Sequence, residues 1–296
     1  MRVGLFTDAL GDRPLADALS WLATEAPEIR DLEIGTGGYS SAPHADLAAL
    51  LRDGGERGRW LAEIEGRGFR LAALNVSGNP LEEPLHDRAL RDTIRLAAEV
   101  GVERVVCMSG GAPGLTGGGW RPGLDEMLAR EWEGRVLPYW RDVSSRALAE
   151  SAALVLCLEL EPGNAVFNVS TFERLAAAGA NLAVNIDPSH FFWQEIDPLA
   201  VVRRLGARVG FAHGKDTVID RARVAVDGVV DRTTWRYATV GHGHAAAWWR
   251  RFLDALRSAG YGRVVSIEWE DDRVAPEESV VEAARVLARA ITRAAA

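Results

Sequence analysis

The stretch "LVLCLE", residues 154–159, is five apolar residues closed by a glutamate. So short an apolar run, lying between two helical patterns, reads as a strand of a buried parallel sheet. Glu126–Ser151, long and interrupted by proline, is the helical pattern before it. Ser170–Ala178, opening "STFE" like a capping box, is the one after. The same unit recurs from end to end. Strands are expected at Arg2–Asp8, Asp31–Ile34, Arg70–Asn75, Arg104–Met108, Leu154–Glu159, Ala183–Asp187, Arg208–His213 and Val264–Glu268. Helices are expected at Pro14–Glu25, Asp46–Arg52, Arg57–Arg67, Asp87–Val100, Pro198–Leu205, Ala245–Ala259 and Pro276–Ala295. Leu90, Ile94 and Ala97 mark the buried side of the fourth of these. Eight strand–helix units imply a parallel sheet closing on itself, a (β/α)8 TIM barrel in one domain over residues 1–296. The rival, an open doubly wound sheet, would put G-x-G-x-x-G after the first strand, where "LFTDALGDRP" stands instead.

Composition narrows the function. The chain has 296 residues, 48% hydrophobic and 26% charged, an ordinary globular balance. No apolar run approaches the length of a membrane span. "MRVGLFTDAL" at the start lacks the apolar core of a signal peptide, so a cytoplasmic protein is expected. In that setting Cys107 and Cys157, both inside apolar runs, are expected as buried thiols. The formal charge is -8, and no basic block exceeds an arginine pair. A nucleic-acid partner would ask for the opposite balance. "GGAPGLTGGGW" (110–120) reads as a loop, and no phosphate-cradling G-x-x-x-x-G-K-[ST] exists. The other long loop, 217–244, suits a lid or a subunit contact in a homo-oligomer.

Catalytic groups of such barrels stand at the C-terminal ends of strands. Here those ends carry Glu33, Glu159, Asp187, His213 and Glu268, the last four on consecutive strands. Side chains two apart share a face, so Glu159 ends an inward file with Val155 and Cys157, His213 one with Phe211, and Glu268 one with Ser266. Three carboxylates converging in a low-dielectric mouth would repel one another strongly. A divalent cation neutralises them, and a set of three oxygens and one nitrogen suits a hard ion. The expected ligands are therefore Glu159, Asp187, His213 and Glu268. Manganese is the first choice of metal, with Mg2+, Co2+ or Zn2+ as alternatives. His190, just beyond Asp187 in "NIDPSH", suits a contact with substrate, and Glu33 at the end of the second strand is expected to make one too. Lys215 of "HGKD" is placed to steady a substrate oxygen. "GHGH" (241–244) reads as a turn into a helix, with His242 a candidate for the mouth, and "AAWWRRF" as helix packing.

Several segments together resemble the sugar phosphate isomerase/epimerase family, the xylose isomerase-like TIM barrels. They are "DLEIGTGGYSSAPH", "LNVSGNPL", "RLAAEVGVERVVCMSGGAPG", "LELEPGNAVFNVSTFERL", "NIDPSHFFWQEIDPLAVVRRLG", "VGFAHGKDT" and "GHGHAAAWWRRFLDALRSAGYGRVVSIEWEDD". The resemblance implies the same four ligands for a single divalent ion, with His190 touching substrate. Two positions depart from the family's habit. Glu161 in "ELEPG" stands where E-x-H-P-G has histidine, and Ser77 in "NVSGN" where C-H-G-N has one. Both are expected to line the sugar pocket. Glu270 is an alternative ligand.

The activity expected is isomerisation or epimerisation of a keto sugar through an enediolate, with Glu159 and Glu268 as proton carriers. The same half-reaction can end in elimination, as in a lyase or dehydratase acting on a 3-keto-glycoside, a C-glycoside or an inosose. A non-catalytic sugar-binding relative is a further alternative. A DNA-repair endonuclease of the endonuclease IV type needs a histidine-rich multi-zinc site, and the whole chain has 6 histidines. No nucleic-acid or membrane partner is expected, and the ligand is a small sugar.

Overall fold

A computed structural model of the chain describes residues 1–111 and 124–292. Most of the glycine-rich 110–120 stretch thus lies outside the described residues. Eight parallel strands close into a barrel. In chain order the strands are β1 (Arg2–Phe6), β2 (Ile29–Gly35), β3 (Arg70–Asn75), β4 (Arg104–Cys107), β5 (Val155–Glu159), β6 (Leu182–Ile186), β7 (Val209–Gly214), β8 (Asp216–Ile219), β9 (Trp235–Ala238) and β10 (Val264–Ile267). Around the barrel the order is β1-β10-β7-β6-β5-β4-β3-β2, while β8 and β9 form a separate antiparallel pair. All eight expected barrel strands are present, displaced by at most two residues at their ends. That is the usual uncertainty of strand ends, where turn chemistry rather than burial decides.

Contacts group the chain into two compact units. One comprises Met1–Glu33, Glu63–Leu71 and Ile186–Ala296, the other Ile34–Ala62 and Ala72–Asn185. In the first, β10 lies between β1 and β7, with Gly4 opposite Ser266 and Ser266 opposite His213. Paired residues of parallel strands share a face, so this row lines one side of the sheet. A Cβ at Gly4 would lie 2.5 Å from Val264 Cγ1 and 2.9 Å from the Asp31 carbonyl, so only glycine fits there. At the N-terminal ends of β1 to β3, buried Asp31 accepts from Arg2 Nε (2.9 Å) and Arg70 Nη2 (2.6 Å). Burial opposes the Asp31 charge, but the two guanidiniums outweigh it and lower its pKa. Outside the strands, Ala246–Ser258 packs on Pro276–Thr292 and Pro198–Leu205. Trp249, Phe252 and Leu253 are fully buried there, as helix packing requires.

In the second unit Pro84–Val100 packs on Leu47–Arg52 and Leu137–Glu150, burying Leu90, Ile94 and Ala97. The long proline-interrupted helix resolves into Leu124–Glu131, a π-type turn over Trp132–Val136, and Leu137–Glu150. Pro138, which has no N–H to give, sits in the first turn of the last piece, where none is needed. The capping box after β5 is real but starts earlier than "STFE". Asn168 is the cap, accepting from Thr171 N, and Thr171 Oγ1 accepts from Asn168 N. Cys107 and Cys157 are buried thiols not joined in a disulfide. No helix among the described residues is long and apolar enough to cross a membrane.

The expected loop 217–244 is largely structured. It carries the β8–β9 hairpin and a helix at Arg221–Asp227. Asp216 organises it. Its Oδ2 accepts from the backbone N–H of Gly241, Gly243 and His244 and from Trp249 Nε1, and its Oδ1 from Thr217 N. His244 Nδ1 lies 2.7 Å from the same Oδ1, which makes "GHGH" a turn wrapped round one buried carboxylate. His242 does not face the barrel mouth. Its Nε2 lies 2.8 Å from Glu282 on the last helix.

Candidate metal centre

β5 and β6 are hydrogen-bonded in register with Glu159 opposite Asn185, and Asn185 Nδ2 donates to Glu159 Oε2 (3.3 Å). Asp187 follows two residues later on the same face. β7 brings up His213, and Glu268 follows β10 with its N–H on the Gly214 carbonyl. Among the described residues, Glu159, Asp187, His213 and Glu268 each offer a ligand atom, all within 4.8 Å of one another.

The imidazole of His213 is fully buried and held from both sides. Nε2 lies 3.1 Å from both Glu33 oxygens, while Nδ1 lies 3.2 Å from Glu268 Oε2 and 3.8 Å from Asp187 Oδ2. Burial opposes its charge, yet Glu33 and then Glu268 outweigh that and hold its pKa well above the usual value. Burial likewise opposes ionisation of Asp187 and Glu268. Lys215, then His190 for the first and His213 for the second, overcomes it: Asp187 is pushed well below the usual carboxylate range and Glu268 to about 2.

Lys215 is buried to 2% exposure, with its ammonium 2.5 Å from Glu268 Oε2, 3.1 Å from Asp187 Oδ2 and 3.0 Å from Glu270 Oε2. Glu270 is half-exposed and lies outside the four-residue group. His190 is buried, its Nε2 3.6 Å from Asp187 Oδ2 and its Nδ1 2.9 Å from the Tyr237 hydroxyl. The Tyr237 ring also lies 4.7 Å beneath the Lys215 ammonium. Tyr237 escaped the sequence reading because it belongs to a hairpin taken for loop. The local clue was the alternation in "WRYA" after Thr234.

These residues fit a hard dication. Among the described residues nothing gives the buried Asp187 Oδ2 a hydrogen bond of ordinary geometry, although Lys215, His190 and His213 face it. The donors are carboxylates and an imidazole with no thiolate. With Nε2 of His213 on Glu33, Nδ1 is the nitrogen turned to Glu268 and Asp187 and would be the one to hold a metal, the usual carboxylate–histidine arrangement behind a ligand. Ser77 and Glu161, expected to line the sugar pocket, both lie in the second unit. Ser77 N donates to Asn75 Oδ1 (2.9 Å), its carbonyl accepts from Tyr39 N (2.8 Å), and its Oγ is buried with no hydrogen-bond partner among the described residues. Glu161 accepts from Asn164 Nδ2 (3.4 Å) and, after burial, is the largest cause of the raised Tyr39 pKa.

Residues 33–290 match the family described as "Xylose isomerase-like TIM barrel". The chain belongs to that family. It is 33% identical over 320 residues to the uncharacterized protein YfiH of Bacillus subtilis (strain 168), with 99% of this chain and 100% of the relative covered. Among solved structures it is similar to the probable 3-DHS dehydratase AsbF of Bacillus anthracis, which is involved in petrobactin synthesis. That pair has a TM-score of 0.69 and 14% identity over 97% of this chain and 99% of the other. It is also similar to the D-psicose 3-epimerase of Clostridium cellulolyticum H10 in complex with D-tagatose. Here the TM-score is 0.64, with 16% identity over 99% of both chains. At such identities these two likenesses speak for the fold.

Proposed function

We propose that the chain is a divalent-metal-dependent isomerase or epimerase acting on a keto sugar. The observation that carries this is the convergence of Glu159, Asp187, His213 and Glu268 to within 4.8 Å. Those four would hold the ion, with manganese the first choice. When bound, such a dication draws electrons from a carbonyl and its neighbouring hydroxyl, acidifying the C–H between them. In the metal-free chain Lys215 and His213 outweigh the burial of Glu268 and hold it as a carboxylate, its pKa lowered to about 2, and it would stay ionised beside a bound dication in the same way. One of its oxygens can face the ion while the other accepts the proton. Glu159, from a different strand, offers the second carboxylate, so that the proton returns from the opposite face. Tyr237 holds His190 Nδ1, so Nε2, which lies 3.6 Å from Asp187 Oδ2, is the ring nitrogen that would meet a sugar hydroxyl. Lys215 steadies the oxygen that gains negative charge, and Ser77 and Glu161 shape the part of the pocket that selects the sugar.

The test is solvent-deuterium wash-in at the carbon beside the carbonyl, across a panel of ketoses and keto-glycosides, with and without EDTA. Metal-dependent exchange supports the reading, and its absence across the panel sinks it. Product analysis separates the lyase alternative, because elimination leaves an unsaturated product or a released aglycone.

A further inference from the structure

Lys215 is the only lysine in the chain, the other 33 of its 34 basic residues being arginine. It is also among the largest fully buried side chains. A composition that uses arginine at every other cationic position keeps lysine at the one where three carboxylates meet. The two cations differ in ways that matter here. Guanidinium is a rigid planar fork suited to fixed bidentate pairs, whereas ammonium is a compact charge on a flexible stem. The Lys215 ammonium contacts the same two oxygens, Asp187 Oδ2 and Glu268 Oε2, that face His213 Nδ1. A dication bound by those oxygens and that nitrogen would meet the ammonium at close range, where like charges repel strongly.

We infer that Lys215 is the built-in counter-cation of the metal-free chain and is displaced when a divalent ion binds. The neighbourhood supplies somewhere to go. Glu270 Oε2 lies 3.0 Å from the ammonium, on a half-exposed side chain outside the ligand group, and the Tyr237 ring face lies 4.7 Å away. Retreat toward these two keeps the charge paired and the chain folded in both states. The cost is a metal affinity lower than the four ligands alone would give. This inference rests on the metal part of the proposed function and is independent of the sugar reaction.

Having one lysine makes the test direct. In full-length protein grown with labelled lysine, a single ε-methylene signal reports Lys215. Titrating the EDTA-stripped protein with Mg2+ should move that signal to a second position as the site fills. Replacement by a neutral side chain of similar length, Lys215→Met, should tighten Mn2+ binding at least tenfold by calorimetry. The same variant should lower the melting temperature of the stripped protein and leave that of the Mn2+-saturated protein close to wild type. A lysine signal that stays still while calorimetry shows the ion bound would overturn the inference. So would a folded Lys215→Met variant that binds Mn2+ no more tightly than wild type. Should that variant fold only with metal present, the labelled wild type decides alone. Metal-dependent movement of Lys215 in a protein that exchanges no sugar protons would keep this inference and refute the proposed activity.

Discussion

Asp216→Asn tests whether one buried carboxylate holds the turn behind the site. Oδ2 accepts from three backbone N–H groups at 2.9–3.1 Å and from Trp249 Nε1 at 3.3 Å, while Oδ1 receives Thr217 N at 2.8 Å and faces His244 Nδ1 at 2.7 Å. Asparagine must put its NH2 at one of those places. Oδ1 is the cheaper choice, because His244 can change tautomer and accept. Thr217 N is then orphaned, at about 1–3 kcal/mol, and the bonds to the remaining oxygen lose their charge assistance, roughly half of each. Taken singly these losses would reach about 4–9 kcal/mol; relaxation of the turn and their non-additivity bring the expected total to about 3–5 kcal/mol, at the upper end for a single substitution. Guanidinium denaturation should show a lower midpoint at an unchanged slope, both with and without EDTA. Asp220→Asn is the control. Asp220 is an exposed helix cap accepting from Arg223 N, and asparagine caps equally well, so little should change. A loss below about 1 kcal/mol at Asp216, or one no larger than at Asp220, refutes the reasoning.

Glu33→Gln removes the charge behind His213 Nε2 and should weaken Mn2+ binding about 10- to 100-fold, measured by calorimetry on stripped protein. Tyr237→Phe removes the hydroxyl that holds His190 Nδ1 and should slow deuterium exchange chiefly through a raised KM, with melting temperature little changed. Acid should destabilise the stripped protein. The folded pKa of Glu268, about 2, lies below its ordinary 4.5, so its contribution is present above pH 4.5 and is lost as pH falls toward 2. Asp187 acts in the same direction. His213 has the opposite sign. Its raised folded pKa makes a contribution that is full below pH 6.5 and is lost as pH climbs through the higher folded value. Melting curves in EDTA should therefore decline on both sides, and a flat profile from pH 3 to 9 would contradict these assignments.

The barrel was legible from local pattern because short apolar runs alternating with amphipathic ones leave few ways to bury both. Glu159, Asp187, His213 and Glu268 were legible for a related reason: a strand's end and its side-chain alternation are local properties, and parallel strands bring equivalent ends together. Tertiary structure decided which partner each charged group took. Glu33 stands behind His213 rather than beside a substrate-facing group, Lys215 reaches Glu270 across 55 residues of chain, and Asp216 collects donors from 241–249. Tyr237 arrives on a hairpin that no barrel repeat announces. Strand alternation has a period of two and can be read along the chain. Ion pairs and turn donors have no period, since they depend on distances that exist only once the chain has folded.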